Sequence, residues 1–242
     1  MIPTFDELQV HQTPLGELVL RRRLPTEAGR LGTLEVTLDD QFLMSGDVNG
    51  SEIALAQLGM AAAGEGQLDV VVGGLGLGCT AVAALESAQL RSMLVVECLS
   101  EVIDWHRQGL VPLGEQIVND KRCRLVHGDF FALANEPERG FDAQMPGRRF
   151  HAILMDIDHS PRGLLHGSHR EFYEAEGLRR LAGHLHPGGV FALWSADPSE
   201  PEFVAALSEV FAEHEAHAIP FHNPSVDCEE LNTVYVGRTA LA

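Results

Sequence analysis

The sequence predicts an α/β protein with a doubly wound, largely parallel sheet of about seven strands and a small β unit in front of it. The main observation is that apolar strands and helices alternate from residue 51 to residue 214. The strands are near-continuous apolar runs, which is typical of parallel strands that are buried on both faces. The 242 residues, 45% of them hydrophobic, suffice for one large domain with a small appendage.

The N-terminal β unit is predicted from residues 16–23 and 32–45, which are rich in Val, Leu and Thr. Pro14 precedes the first of these stretches and marks a turn. The pattern changes near residue 51, where a helix begins with Asn49 or Ser51 as its N-cap. We therefore divide the chain into a β-hairpin unit over residues 1–48 and a Rossmann-like domain over residues 49–242.

The elements of the larger domain follow one another in strict alternation. Parallel neighbours joined by helices require right-handed crossovers, and the last two strands are close enough in sequence to form an antiparallel hairpin. Helices are predicted over residues 51–63, 80–89, 100–110 (opened by Ser100), 130–135, 169–185 and 200–214. Strands are predicted over residues 68–74, 92–99, 123–129, 150–158, 188–196, 217–223 and 232–238.

The charge balance narrows the classes of partner. Lys plus Arg number 17 and Asp plus Glu number 35, so the net charge of −18 disfavours nucleic acid and anionic membranes. It would attract cations such as polyamines, but many soluble proteins are this acidic for solubility alone. The four cysteines are scattered, which suggests neither a disulfide framework nor a zinc site. No apolar run reaches membrane-spanning length and residues 1–10 do not resemble a signal peptide, so a cytoplasmic location is expected.

A glycine-rich turn between the first strand of the larger domain and its helix is the main binding signal. Gly74, Gly76 and Gly78 form a G-x-G-x-G pattern within "LDVVVGGLGLGCTA". Glycine removes side chains that would block a ligand and permits a positive φ in a tight turn. The helix that follows offers unpaired N–H groups to a polar or anionic group. A turn that merely packs strand against helix would look similar, so the pattern alone is a weak signal.

Acidic residues at the ends of the next two strands strengthen the signal. Glu97 follows the glycine turn by about 20 residues and ends its strand, where it can accept hydrogen bonds from ribose hydroxyls. Asp129 ends the third strand, where it can accept a hydrogen bond from an adenine amino group. Because the carboxyl ends of parallel strands meet at one edge of a sheet, these three features together predict a nucleoside site.

The fourth strand ends in "MDIDHSPRG" and supplies the candidate catalytic residues. Asp156, Asp158 and His159 are expected beside the reactive end of the nucleoside, where a carboxylate could act as a general base toward an amine or hold a cationic substrate. His166 and His169 follow shortly afterwards, but their spacing with Asp158 and His159 matches no metal motif, so we expect no metal. The alternative is that these groups cap loops and are solvated.

On these motifs the sequence resembles the spermidine synthase (polyamine aminopropyltransferase) family along nearly its whole length. The resemblance implies a Rossmann-like catalytic domain of the class I methyltransferase type, a small β domain, a homodimer, and decarboxylated S-adenosylmethionine as aminopropyl donor. The segments that carry it are "TPLGELVLRR", "LEVTLDDQFLMS", "GGLGLG" where the family has GGGDGG, "VVECLSEVI" for VVELDPEVI, "HGDFF" for GDAF, "DIDHSP" for D-x-x-D-P, and "REFYEAEGLRRLAGHLHPGGVFALWS", the most specific.

The departures from the family pattern concern the donor-amine and polyamine pockets. The family's aspartate in the glycine turn, which binds the donor's amine, is Gly76 here, and its glutamine that reaches the nucleoside is Leu43. Its Tyr-His-Glu at the start of the core helix reads Glu-Ile-Ala over residues 52–54. The D-x-x-D-P segment is one residue longer, so the second aspartate is either Asp158, shifted, or lost to Ser160.

Three functions therefore remain open from the sequence. The first is a spermidine synthase-like transferase that moves an aminopropyl or related group to an amine from decarboxylated or ordinary S-adenosylmethionine. The second is an S-adenosylmethionine-dependent methyltransferase, since Gly76 restores the plain G-x-G-x-G of that class. The third is a nucleoside-binding homologue without turnover. Function inferred from a shared fold is an analogy, so the site itself must discriminate.

Overall fold

The structure is a computed structural model that describes residues 4–25, 32–223 and 228–241. Its N-terminal part is a four-stranded antiparallel sheet in sequential order. Asp39 and Asp40 join its last two strands with φ values of 47° and 62°, as a two-residue hairpin turn with positive φ at both positions requires. The division of the chain at residue 48 stays a prediction. The strands are β1 (Phe5–Thr13), β2 (Gly16–Arg23), β3 (Thr33–Leu38) and β4 (Gln41–Ser45).

The larger sheet confirms the predicted fold class. It has seven strands in the order β10-β11-β9-β8-β5-β6-β7, and only the β10–β11 hairpin and the β11–β9 pair are antiparallel. Its strands are β5 (Leu68–Gly73), β6 (Leu90–Glu97), β7 (Cys123–His127), β8 (Phe150–Met155), β9 (Leu185–Ser195), β10 (Glu213–Asn223) and β11 (Cys228–Arg238). The helices are α1 (Gly50–Ala62), α2 (Cys79–Leu85), α3 (Ser100–Arg107), α4 (Gly114–Asn119), α5 (Phe130–Ala134), α6 (Ala175–Ala182) and α7 (Pro201–Ser208).

Apolar side chains cover both faces of this sheet, as the continuous apolar strands predict. One face packs on α1 to α3 in a cluster that includes Leu55, Val70, Val72 and Trp105. The other face packs on α5 to α7 in a cluster rich in Phe. Burial on both faces fixes the strands rigidly, so the loops at their carboxyl ends are held in place. None of the helices in the described ranges combines the length and apolar character needed to cross a bilayer.

Most of the predicted helices are shorter in the structure, and two of them differ most from the prediction. The helix predicted over residues 169–185 is a 3-10 turn, Gly167–Tyr173, followed by α6, because Glu174 is extended with ψ of 160°. The chain folds tightly there, and a Cβ at Gly177 would lie 2.3 Å from the Glu171 carbonyl oxygen. The helix predicted over residues 200–214 ends at Ser208, because residues from Glu213 onward pair with β11.

Two smaller features also differ from the prediction. α4 was not predicted, since it is six residues long and buries only Gly114 and Ile117. Ser100 does not cap α3: the N-cap residue is Leu99, and the Ser100 hydroxyl donates to the Glu101 carboxylate.

Candidate active site

The principal cavity has a volume of about 710 Å³ and lies between the N-terminal sheet and the carboxyl ends of β5, β8 and β9. The glycine turn and the start of α1 form its floor. Because Gly76, Asp156 and His159, which were singled out from the sequence, line it, the cavity is the candidate active site. Glu52, Cys79 and Trp194 also line it.

The three glycines of the turn all have positive φ: 89° at Gly74, 47° at Gly76 and 94° at Gly78. At two of them close packing leaves no room for a side chain. A Cβ at Gly74 would lie 2.0 Å from the Asp156 carbonyl oxygen, and a Cβ at Gly78 would lie 2.6 Å from the Ile117 side chain. Only Gly76 faces the N-terminal sheet across the cavity, where a Cβ would meet the Met44 sulfur at 2.7 Å. The flexible Met44 side chain therefore covers Gly76 and has to shift for a ligand to reach the turn there.

His106 holds the backbone of this turn, a role that the sequence did not reveal. Its Nε2 lies 2.8 Å from the Gly76 carbonyl oxygen, and its side chain is buried beneath the turn. A carbonyl only accepts, so Nε2 carries the proton. Burial lowers the pKa of His106, which the hydrogen bond to Gly76 partly opposes, and the imidazole is therefore neutral near pH 7.

The two acidic residues predicted to bind the nucleoside hold backbone groups in this structure. Glu97 is buried and accepts hydrogen bonds from the Leu75 amide at 3.1 Å and the Leu99 amide at 2.8 Å. Asp129 caps α5 by accepting from the amides of Phe131 and Ala132. Neither lines the principal cavity. A carboxylate has about four acceptor positions, so both keep capacity for a ligand, and their assignment to ribose and adenine stays a prediction.

The first prediction tests that assignment at Glu97. Replacing Glu97 with Ala is expected to weaken methylthioadenosine binding by about 1.5–3 kcal/mol, the scale of charge-assisted hydrogen bonds. Calorimetric titration measures the change, and the exposed Glu115→Ala variant serves as the matched control. Since Glu97 also anchors the turn, thermal melting is recorded in parallel. Parental affinity in a folded Glu97→Ala protein would remove Glu97 from the site.

Asp156 lines the cavity directly behind the glycine turn. Its Oδ2 accepts a hydrogen bond from the Thr80 hydroxyl at 2.7 Å, and its amide donates to the Gly73 carbonyl at 2.8 Å. Burial, and then the charge of Glu52, raises the pKa of Asp156 to about 7. Burial also raises the pKa of Glu52, although the Ser51 hydroxyl opposes the shift. Two carboxyls that cannot both ionise freely are an arrangement found in acid–base catalysis.

Cys79 lines the same part of the cavity but is not a nucleophile. Burial, followed by the charge of Glu52, raises the pKa of the Cys79 thiol to about 11. The group is thus a neutral thiol near pH 7, whereas thiolate is the nucleophilic form. This leaves Asp156 and Glu52 as the carboxyl pair of this part of the cavity.

Asp158 lies outside the cavity, and its catalytic role stays a prediction. Its side chain is fully buried and accepts hydrogen bonds from the Leu165 amide at 2.7 Å and the Tyr173 hydroxyl at 2.8 Å. The Nδ1 atom of His169 lies 3.0 Å from both of its oxygens. All three partners belong to the loop and the 3-10 turn that follow β8. Asp158 is therefore a residue that fixes the loop carrying His159 and Leu165, both of which line the cavity.

His159, His166 and His169 lie in three different environments. His159 lines the cavity, and its backbone bonds to Gly163 and Ala196 hold it there. His166 instead bonds Ser168 at the surface, and His169 stacks on Phe131 with ring centroids 3.7 Å apart. Within residues 4–25, 32–223 and 228–241, no three His, Cys, Asp or Glu side chains form a group that could hold a metal ion.

The opposite wall of the cavity carries two guanidinium groups from β2. Arg21 and Arg23 share the buried carboxylate of Glu35, and Arg23 also pairs with Asp47 at 2.6 Å. Arg21 stacks over Phe5 at 4.0 Å. Each guanidinium uses its Nε and one terminal nitrogen, and the other terminal nitrogen has no bond to a described residue. This wall can therefore donate hydrogen bonds to an anionic group.

The sheet order and the loops at its carboxyl edge define a class I methyltransferase-type α/β fold with an appended antiparallel sheet. No known family profile matches the chain. Among solved structures, the chain is similar to spermidine synthase from Thermotoga maritima, with a TM-score of 0.73, 16% identity, and coverage of 98% of this chain and 74% of that one. It is also similar to a spermidine synthase in complex with the transition-state analogue AdoDATO, with a TM-score of 0.73, 18% identity and the same coverage. The chain thus has the fold of spermidine synthases, as the resemblance of the sequence implies.

Proposed function

We propose that this chain is a transferase of the spermidine synthase type, which binds an adenosyl sulfonium compound and transfers a group from its sulfur to an amine. One observation carries the proposal: Gly76 and Asp156 face the same cavity, so a donor seated on the turn would present its reactive carbon beside a carboxyl able to take a proton. The amine nitrogen attacks carbon, the C–S electrons pass to sulfur, and the surplus amine proton leaves to Asp156.

The donor is proposed to keep its carboxylate. In the family the glycine turn carries an aspartate that attracts the donor's ammonium and would oppose a carboxylate, whereas here that position is Gly76. Two like charges about 4 Å apart cost roughly 1 kcal/mol in water and several-fold more when partly buried. On the facing wall, Arg21 and Arg23 each have one terminal guanidinium nitrogen with no bond to a described residue, and these nitrogens can donate hydrogen bonds to an anion.

The second prediction concerns this donor choice. Gly76→Asp is expected to change the ratio of the dissociation constants of S-adenosylmethionine and its decarboxylated form about tenfold or more, in favour of the decarboxylated form. A difference of about 1.4 kcal/mol corresponds to tenfold. The variant is sterically feasible, because φ of 47° suits aspartate and the clash falls on the flexible end of Met44. Gly109→Asp is the matched control, with φ of 71° and open space around its Cβ. An unchanged ratio in folded Gly76→Asp would refute the donor argument.

The co-product distinguishes the two transferase functions. Attack at the propyl carbon releases methylthioadenosine, whereas attack at the methyl group of S-adenosylmethionine releases S-adenosylhomocysteine. The experiment incubates the chain with each donor and a panel of amines and identifies the nucleoside formed. Methylthioadenosine supports the proposal, S-adenosylhomocysteine supports a methyltransferase, and tight binding without either product supports a binding protein. The homodimer and the cytoplasmic location stay predictions.

A further inference from the structure

Glu52 stands at the end of a hydrogen-bond chain that the proposed function does not use. The Trp194 indole N–H and the Asn232 amide both donate to the Ser51 hydroxyl oxygen, at 2.9 Å and 2.8 Å. The Ser51 hydroxyl in turn donates to Glu52 Oε2 at 2.8 Å. Ser51 is 2% exposed, so this chain is shielded from water where it meets Glu52.

The direction of these bonds is set by the chemistry of the donors. An indole N–H can only donate, and a hydroxyl has two lone pairs and one hydrogen. With both lone pairs of Ser51 occupied by N–H groups, its hydrogen is committed to Glu52. A hydrogen bond donated to a carboxylate stabilises its ionised form, and a donor that itself accepts two bonds is polarised to donate more strongly.

Asp156 has weaker support for its charge than Glu52. Among the described residues, Asp156 also accepts one side-chain hydrogen bond, from Thr80, whose hydroxyl lies 2.7 Å from Asp156 Oδ2 and 3.5 Å from the Glu52 carbonyl oxygen. Unlike the Ser51 hydroxyl, the Thr80 hydroxyl accepts no N–H bond from a described residue that would polarise it. Both carboxyls face the same cavity, and the charge on Glu52 acts on Asp156. As the pH rises, Glu52 therefore ionises first and its charge then opposes ionisation of Asp156.

We propose that Glu52, held ionised by the Ser51–Trp194–Asn232 hydrogen bonds, is a positioning residue whose negative charge makes Asp156 the more basic member of the carboxyl pair. The catalytic meaning of this basicity rests on the proposed function: a base that ionises close to the working pH gives the best general-base catalysis. Glu52 itself acts through Asp156 and needs no contact with the reacting atoms.

The other charged groups around the pair do not replace Glu52 in this role. Cys79 of α2 is a neutral thiol. His159, from the loop after β8, lines the cavity with them. On the wall formed by the N-terminal sheet, the cationic groups Arg21 and Arg23 are paired with Glu35 and Asp47. The carboxylate that faces Asp156 from α1 is thus the one whose removal changes its titration most.

The test titrates the carboxyl groups of the ligand-free full chain by ¹³C NMR, with labelled Asp and Glu. Glu52→Gln is expected to lower the Asp156 midpoint by at least about one pH unit, or tenfold in its ionisation constant. Glu52→Asp keeps the charge and should restore most of the parental value. The exposed Glu115→Gln variant controls for loss of one negative charge. A parental Asp156 midpoint in folded Glu52→Gln would overturn the proposal.

A second variant keeps the proposal testable if Glu52→Gln fails to fold. Trp194→Phe keeps an aromatic side chain but removes the indole N–H that bonds Ser51. The titration midpoint of Glu52 should therefore rise, and that of Asp156 should fall toward it. No movement of either midpoint would contradict the proposal. These titrations need no substrate, so they stand even if no transfer is found. Where transfer is found, Glu52→Gln should move the acid limb of the kcat/KM profile to lower pH, which a merely structural residue would not do.

Discussion

Replacing Asp156 with Asn is expected to lower the rate of group transfer by about 10²- to 10⁴-fold, the contribution typical of a positioned general base. Asn matches the shape of Asp and can still bond the Thr80 hydroxyl, so the glycine turn stays in place. It cannot take the proton that the attacking amine must lose. Donor affinity should change by less than about fivefold, or roughly 1 kcal/mol. Release of the nucleoside co-product measures the rate, and calorimetry measures the affinity.

Asp104→Asn is the matched control for this experiment. Asp104 is an exposed side chain of α3 whose ion pair with Arg107 spans 3.5 Å at the surface, and the change should leave both rate and affinity unaltered. A rate in Asp156→Asn within about threefold of the parent, below the 10²-fold expected of a general base, would show that Asp156 is not the base. A large loss of donor affinity with little change in the maximal rate would instead make Asp156 a binding residue.

Asp158, two residues further on, is expected to show the opposite behaviour. Asp158→Ala should lower the free energy of unfolding by about 3–5 kcal/mol, the cost of removing one partner from a buried polar network. Its side chain is 0% exposed, and its loss leaves the Leu165 amide, the Tyr173 hydroxyl and His169 without their acceptor. Urea denaturation measures the change.

Asp156→Ala provides the comparison within the same segment. It removes a carboxyl whose ionised form is disfavoured by burial and by Glu52, so the free energy of unfolding should change by no more than about 1 kcal/mol. Equal destabilisation by Asp156→Ala and Asp158→Ala would contradict the distinction between a site residue and a loop anchor. So would an Asp158→Ala protein with parental stability.

The fold was predictable because each strand of the larger sheet carries its own local signal. Residues 68–74 run into the glycine turn and residues 150–158 end at acidic loop residues, so the short length and the flanking residues of these apolar runs mark them as buried strands. The segment 169–185 misled the prediction because its composition is helical. Close packing at Gly177, together with the bonds of His169 and Tyr173 to Asp158, breaks the helix at Glu174.

The site was only partly predictable because its residues come from distant parts of the chain. Gly76 and Asp156 could be found, since both follow apolar strands and therefore lie at the same sheet edge. The link from Ser51 to Asn232 spans 181 residues and has no local pattern. From the sequence, Asp156 and Asp158 were both predicted to be catalytic. Only their surroundings separate them, because a shift of two residues along the loop decides which carboxylate faces the cavity and which faces the core.

The central claim is that the glycine turn binds an adenosyl sulfonium compound that keeps its carboxylate. The most direct measurement is calorimetric titration of the parent chain with S-adenosylmethionine, its decarboxylated form and methylthioadenosine, side by side. We expect all three to bind, and S-adenosylmethionine to bind at least as tightly as the decarboxylated form. A clear preference for the decarboxylated donor would contradict the role assigned to Gly76, and failure of all three to bind would contradict the site itself.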